Sequence, residues 1–232
     1  MTTPDESLEW MRDGTGRVLA CVADLPDAAL TGPTALPGWT RRYLVAHLAA
    51  NAEALRNLVH WARSGEERPM YGSPEQRAED IAAGALRPVA DLRAWLTSSA
   101  GDLAGDLAGL TGDDWEAKIV TAQGLTRPAA EIPWMRAREV YIHAIDLNAG
   151  IGWADLPADF LTALLDEVTT RRSAAGGGPA LALAATDTGD SWTVAGAGAP
   201  VPVSGPLASL AGYLAGRPVP GLEAAPALPP WL

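Results

Sequence analysis

The chain has 232 residues, 48% hydrophobic and 19% charged, enough for a sizeable core in one large domain or two modest ones. Its 28 acidic against 17 basic residues give a formal charge of -11, which argues against the basic face that a nucleic-acid binder needs to displace counterions. Cys21 is the only cysteine, so neither an intramolecular disulfide nor a thiolate-rich metal cluster can form.

Met1 to Trp10 carries Asp5, Glu6 and Glu9 and has no basic stretch followed by an apolar one, so it does not read as a secretory signal. No run is apolar enough to span a membrane. A cytoplasmic, monomeric protein is expected. Lys118 is the sole lysine while Arg, Ala, Gly and Pro abound, a skew that points to a GC-rich genome.

Residues 4–24 place Leu8, Met11, Val18, Leu19, Val22 and Leu25 at near-helical spacing, despite Gly14 and Gly16. Thr31 to Gly38, with Gly32, Pro33 and Pro37, reads as a loop. Thr40 caps a second helix reaching about Arg63. A third helical element covers Pro74 to Leu110, with a break near Pro88. Lys118, Ile119 and Val120 before Gln123-Gly124 suggest a short hairpin. A fourth long helix is expected from Pro128 to Asn148, stopping at Gly150.

A fifth helix, Pro157 to Arg172, leads into the break at Gly176-Gly177-Gly178, after which the period changes. Ala180 to Ala185 and Trp192 to Ala195 read as strands divided by the turn-rich Asp187 to Asp190, and Pro206 to Leu214 as a short helix. The expected architecture is α+β: a four-helix bundle over residues 1–150 and a smaller α/β domain over residues 151–232.

Glu139, His143 and Asp146 fall at i, i+4 and i+7 and share one stripe of the fourth helix, with neighbouring Cβ atoms about 5 to 6 Å apart. The rest of that helix is apolar nearly all round, with Trp134, Met135, Val140, Tyr141, Ile142, Ile145 and Leu147. A carboxylate buried there is costly unless it is paired or coordinates a cation. A Glu-x-x-x-His pair also arises as an ordinary pairing on helix surfaces, so the third donor decides. His47 is the candidate, on the apolar stripe of the second helix among Leu44, Val45, Leu48, Leu55 and Leu58, where a lone histidine otherwise reads as a hydrogen-bonded core residue. His60 is rotated from His47 by about 220 degrees and faces elsewhere. Two His and one Glu leave a coordination position open, as catalytic zinc sites do. Asp146 is placed to accept the second ring N–H of a ligating His, or is simply a polar residue near the helix end. Trp39 and Tyr71 are candidates for the walls of the cleft.

These residues resemble the mycothiol-dependent maleylpyruvate isomerases, whose N-terminal domain is a DinB-like metal-binding four-helix bundle. The likeness rests on Leu36-Pro37-Gly38-Trp39-Thr40-Arg41, His47 to Leu55 including Asn51, Arg68-Pro69-Met70-Tyr71, Pro133-Trp134-Met135-Arg136, and Arg138-Glu139-Val140 running to His143 and Asp146-Leu147. It implies zinc, or another divalent metal, on His47, Glu139 and His143, with mycothiol as thiol cosubstrate contacted by Trp39, Asn51 and Tyr71. It also implies a catalytic arginine from the C-terminal domain, which the segment Leu210 to Arg217 places on Arg217. On spacing alone Arg217 reads as a cation facing a helix C-terminus. The chain departs from the family in having Ala50 where a basic residue often precedes Asn51.

The activity so implied is conversion of maleylpyruvate, a small substrate with carboxylates, to fumarylpyruvate by reversible addition of an activated thiolate. Cys21 lies amid Leu19, Ala20 and Val22 and reads as a core residue, so the thiol is expected as a separate molecule. The alternatives are a mycothiol S-transferase acting on another electrophile, a zinc hydrolase using metal-activated water, and a metal-stabilised binding module without catalysis.

Overall fold

The computed structural model describes residues 3–230, and the chain divides into two compact units at Gly150–Ile151. Among the described residues, no helix is long and apolar enough to cross a membrane.

The first unit contains helices α1 (Pro4–Asp24), α2 (Arg41–Ser64), α3 (Pro74–Ala85), α4 (Val89–Ala108), α5 (Gly112–Glu116) and α6 (Ile132–Asp146), with a hairpin of β1 (Lys118–Val120) and β2 (Thr126–Pro128). Local chemistry sets the helix ends. Thr3 and Glu6 form a capping box ahead of α1. Thr40 caps α2 by accepting from the Tyr43 amide, and Gly65, at φ +72°, ends it in the left-handed conformation.

α1, α2, α4 and α6 form the bundle, α1 packing along α6 and α2 along both α4 and α6. Gly14, which weakens the helical pattern of α1, has a packing reason: a Cβ there would lie 2.6 Å from Val140 Cγ2. Its absence lets α1 close on α6, where Tyr141 donates from its hydroxyl to Asp13 at 2.7 Å. The core is aliphatic, with Leu44, Leu48, Leu55, Leu58, Leu92, Leu96 and Leu103 nearly or fully buried.

The expected third element is two helices, because Pro88 lacks the amide that would continue α3 and instead opens α4. Arg42 of α2 donates to the carbonyls of Ala85 and Arg87 at this break and ties it down. The fourth bundle helix begins at Ile132, four residues later than expected. Pro128 is taken by β2, opposite Lys118, and Ala129–Glu131 make a 3-10 turn. The proline of the first helical turn is Pro133.

The second unit has α7 (Ala158–Ala175), β3 (Pro179–Ala185), β4 (Ser191–Val194), β5 (Ala197–Gly205) and α8 (Leu207–Leu214). β3 is central, antiparallel to β4 and parallel to β5. Leu181, Leu183 and Val203 are buried in this unit's core, with Phe160, Leu164 and Val168 of α7 and Leu207 and Leu210 of α8. Strand β5 is absent from the sequence expectation because Gly198, Pro200 and Pro202 disfavour a strand. An edge position tolerates them, since β5 pairs only with β3.

Candidate metal centre

Two helices bring the site together, and the segment between α1 and α2 sets their relative position. Arg41, the first residue of α2, donates from Nε to the Leu147 carbonyl at 2.7 Å, from Nη2 to Asn148 at 2.9 Å and from Nη1 to Ala29 at 3.0 Å. The amide of Ala35 donates to the Asp146 carbonyl at 2.8 Å. The start of α2 is thereby fastened to the end of α6, so His47 is held opposite His143.

Donor atoms of His47, Glu139 and His143 all lie within 4.8 Å of one another. His47 Nε2 is 3.0 Å from Glu139 Oε2, and His143 Nε2 is 3.4 Å from the same oxygen. The imidazole rings stand nearly perpendicular, at 87° with centroids 5.0 Å apart. Glu139 is the most exposed side chain of the three, 28% against 6% for His47 and 14% for His143, so the site opens at the carboxylate.

Asp146 is fully buried and lies 2.8 Å through Oδ2 from His143 Nδ1. This contact keeps a proton on Nδ1 and leaves Nε2 pointing toward Glu139 and His47. Burial opposes a charge on His143, but Asp146 and Glu139 outweigh it and push its pKa up to about 9 in the metal-free protein. Burial also opposes ionisation of Glu139, yet hydrogen bonds and charge from His143 and His47 hold it well below the usual carboxylate range. His47 goes the other way: burial pulls its pKa down, and Glu139 recovers only part of that loss. The site is thus an anion between two imidazoles, one of which is readily neutral.

Trp39 is edge-on to His47, with centroids 5.5 Å apart. Asn51 is buried and accepts from Arg136 Nη1 at 2.7 Å. Tyr71 lies under the guanidinium of Arg77, 5.4 Å from its ring centroid. Arg217 belongs to the C-terminal unit, on the turn after α8 at Gly216, which has φ +73°. There its Nη1 donates to the Ala215 carbonyl at 2.9 Å. His60 faces Glu66 at 3.7 Å, away from the cluster. Cys21 is half-buried, its sulfur 3.9 Å from the Ala149 carbonyl, and burial raises its thiol pKa.

Two residues of the site have no role assigned from the sequence. Arg136 is buried, donates to the Leu48 carbonyl at 2.8 Å as well as to Asn51, and burial pulls its pKa down to about 10. Its signal was available: it sits three residues before Glu139 on the same helix. Arg77 donates from Nη2 to His47 Nδ1 at 3.2 Å. It had no signal, because α3 carries charged residues at many positions and looks like a solvated helix.

The residues present suit a metal: two imidazoles and one carboxylate from two packed helices are the ligand types of a catalytic zinc site, and the second imidazole nitrogen of His143 already has its carboxylate. Comparison with known proteins agrees in family. The family model for the mycothiol maleylpyruvate isomerase N-terminal domain matches residues 11–148, and that for the MDMPI C-terminal domain matches residues 155–228. No curated protein matches the chain. A crystal structure of a mycothiol-dependent maleylpyruvate isomerase aligns over 100% of both chains at 38% identity with a TM-score of 0.94. A histidine-to-alanine mutant of such an isomerase aligns equally fully at 38% identity and a TM-score of 0.93. With both family models matched in order and the full-length fold shared, the chain belongs to the mycothiol-dependent maleylpyruvate isomerase family.

Proposed function

We propose that this protein is a mycothiol-dependent isomerase that converts maleylpyruvate to fumarylpyruvate, with His47, Glu139 and His143 holding one zinc ion. The convergence of those three side chains carries the reading, in a chain that shares its family with isomerases of that name.

When bound, the metal supplies a Lewis-acidic position that favours the thiolate form of a thiol at neutral pH, where an unperturbed thiol of pKa about 8.5 is mostly protonated. Isomerising a cis alkene requires its π bond to become single for long enough to rotate. A thiolate adding to the alkene carbon conjugated with the carbonyl achieves this. Its electron pair forms the carbon–sulfur bond, and the π electrons move to the carbonyl oxygen as an enolate. Rotation and expulsion of the thiolate then restore the double bond as trans, with the thiol unchanged.

The residues divide this work. Asp146 keeps the proton on His143 Nδ1 and so fixes the nitrogen that faces Glu139. Arg136 fixes Asn51 through its amide oxygen, turning the amide N–H groups away from Arg136 as donors. Trp39 and Tyr71 wall the site and limit water. Arg217 is assigned to the enolate oxygen or a substrate carboxylate, either of which its planar fork matches. Burial of Cys21 and the raised pKa of its thiol make it a poor nucleophile, so the sulfur comes from a separate molecule. We place the enzyme in the cytoplasm as a monomer.

The test mixes purified protein, mycothiol and maleylpyruvate and follows isomerisation. Conversion should require both thiol and metal and should return the thiol free. Isomerisation without thiol would overturn the thiolate mechanism, hydrolysis of the substrate without thiol would identify a zinc hydrolase, and consumption of the thiol would identify an S-transferase.

A further inference from the structure

Arg77 differs in its partners from five other arginines of the first unit. Arg41, Arg42, Arg56, Arg93 and Arg136 each donate to at least one carbonyl or carboxylate oxygen. For Arg77 the structure shows an imidazole nitrogen, His47 Nδ1 at 3.2 Å, and Tyr71, through its ring and a hydrogen bond to its hydroxyl. These partners are neutral groups, and among the described residues no carboxylate pairs with this half-buried guanidinium, which leaves its charge available to an incoming anion.

It also stands at a boundary. Arg77 and Tyr71 line a polar cavity of about 520 Å³ between α2, α3 and α4, which further includes Glu53, Asp80, Arg87 and Trp95. Three of these are already engaged: Glu53 accepts from Trp95 Nε1 at 2.7 Å, Asp80 accepts from Gln76 at 2.8 Å, and Arg87 stacks on the Trp95 ring at 4.0 Å. Arg77 and Arg87 are the two cations of the cavity, and Arg77 is the one in contact with His47.

Its present partner conflicts with metal binding. Arg77 has only donors, so His47 Nδ1 must accept, and the ring proton of a neutral His47 then sits on Nε2, facing Glu139 at 3.0 Å. A metal needs a ring lone pair. Taken at Nε2, it requires the proton on Nδ1, where it meets the N–H of Arg77. Taken at Nδ1, it displaces Arg77 outright. Either way the Arg77–His47 contact is lost.

We propose that Arg77 is a carboxylate anchor for the ligand in this cavity, and that loading the His47–Glu139–His143 site with metal releases it for that role. The inference rests on the metal reading above and adds to it a residue that joins metal occupancy to recognition of an acidic substrate.

The test uses the full chain stripped by a chelator, with Arg77→Met and Arg77→Gln, both of which keep the side chain long and the helix intact by circular dichroism. Only Gln offers an oxygen able to accept from Nδ1–H. Zinc titration should show tighter binding in both variants, with Gln about tenfold tighter than the parent. Unchanged or weaker zinc binding in both overturns the competition. Maleate, a dicarboxylate without the ketone, is then titrated into metal-free and zinc-loaded protein. Arg77→Met should weaken maleate about tenfold in the zinc-loaded form and by less than about twofold in the metal-free form. An equal penalty in both forms overturns the release, and no penalty in either overturns the anchor. These are binding measurements without thiol or turnover, so failure of the isomerase reading would appear separately, as no conversion of maleylpyruvate by zinc-loaded protein with mycothiol.

Discussion

Replacing Asp146 by Asn should remove most of the pH dependence of stability that the metal-free protein shows between about pH 6.5 and about pH 8.5. The dependence originates at His143, which burial opposes but which Asp146 and Glu139 hold protonated up to about 9, against an ordinary value of 6.5. A raised folded pKa means that the folded state keeps the proton more tightly. The stabilisation is therefore complete below about 6.5 and is lost as pH climbs through about 9. Integrating the difference in bound protons across the window gives a loss of about 2 kcal/mol. Glu139, held well below the usual range, stays ionised throughout and adds no slope. Cys21, its thiol raised by burial, contributes only above the window. The Asn variant retains an acceptor near His143 Nδ1 and removes the charge, so its loss should fall below about 1 kcal/mol. Urea denaturation of chelator-treated protein, followed by tryptophan fluorescence, measures both. A flat profile in the parent protein, or the full loss in the variant, would refute the assignment to the His143–Asp146 pair. With zinc bound the sign should reverse, because coordination requires neutral His143 and strengthens as protons leave.

Three other outcomes are expected. His143→Ala should lose metal and activity together, since one imidazole and one carboxylate make a poor zinc site; full metal content by elemental analysis would contradict this. Arg217→Ala should keep its metal and its fold while turnover drops about a hundredfold, and a normal rate would take Arg217 out of the mechanism. Gly84→Ala should destabilise the first unit by about 1–3 kcal/mol, because the new Cβ would lie 2.4 Å from Trp95 Cζ3 and 3.2 Å from Ala46 Cβ. The indole cannot easily yield, being bonded to Glu53 and covered by Arg87; an unchanged denaturation midpoint would show that it does.

The spacing of Glu139, His143 and Asp146 was readable because helical periodicity converts sequence distance directly into angular position, and a polar stripe on an otherwise apolar helix stands out. His47 was readable for the same reason on α2. The late start of α6 was not, because Pro128 suits a strand end as well as a first helical turn, and pairing with Lys118 settled it. Strand β5 was hidden because glycine and proline argue against a strand, whereas its place at the edge of the sheet removes most of the penalty.

Local order and the identity of the ligand-type side chains were thus determined along the chain itself, where capping residues, proline breaks and periodicity act over a few positions. Tertiary structure decided which of those side chains meet. Arg41 fastens α2 to the end of α6 through carbonyls more than a hundred positions away in sequence, and Arg77 reaches His47 from a helix whose pattern resembles any solvated surface. Contacts of this kind depend on how helices pack in three dimensions, which the local pattern of apolar and polar residues constrains only by face.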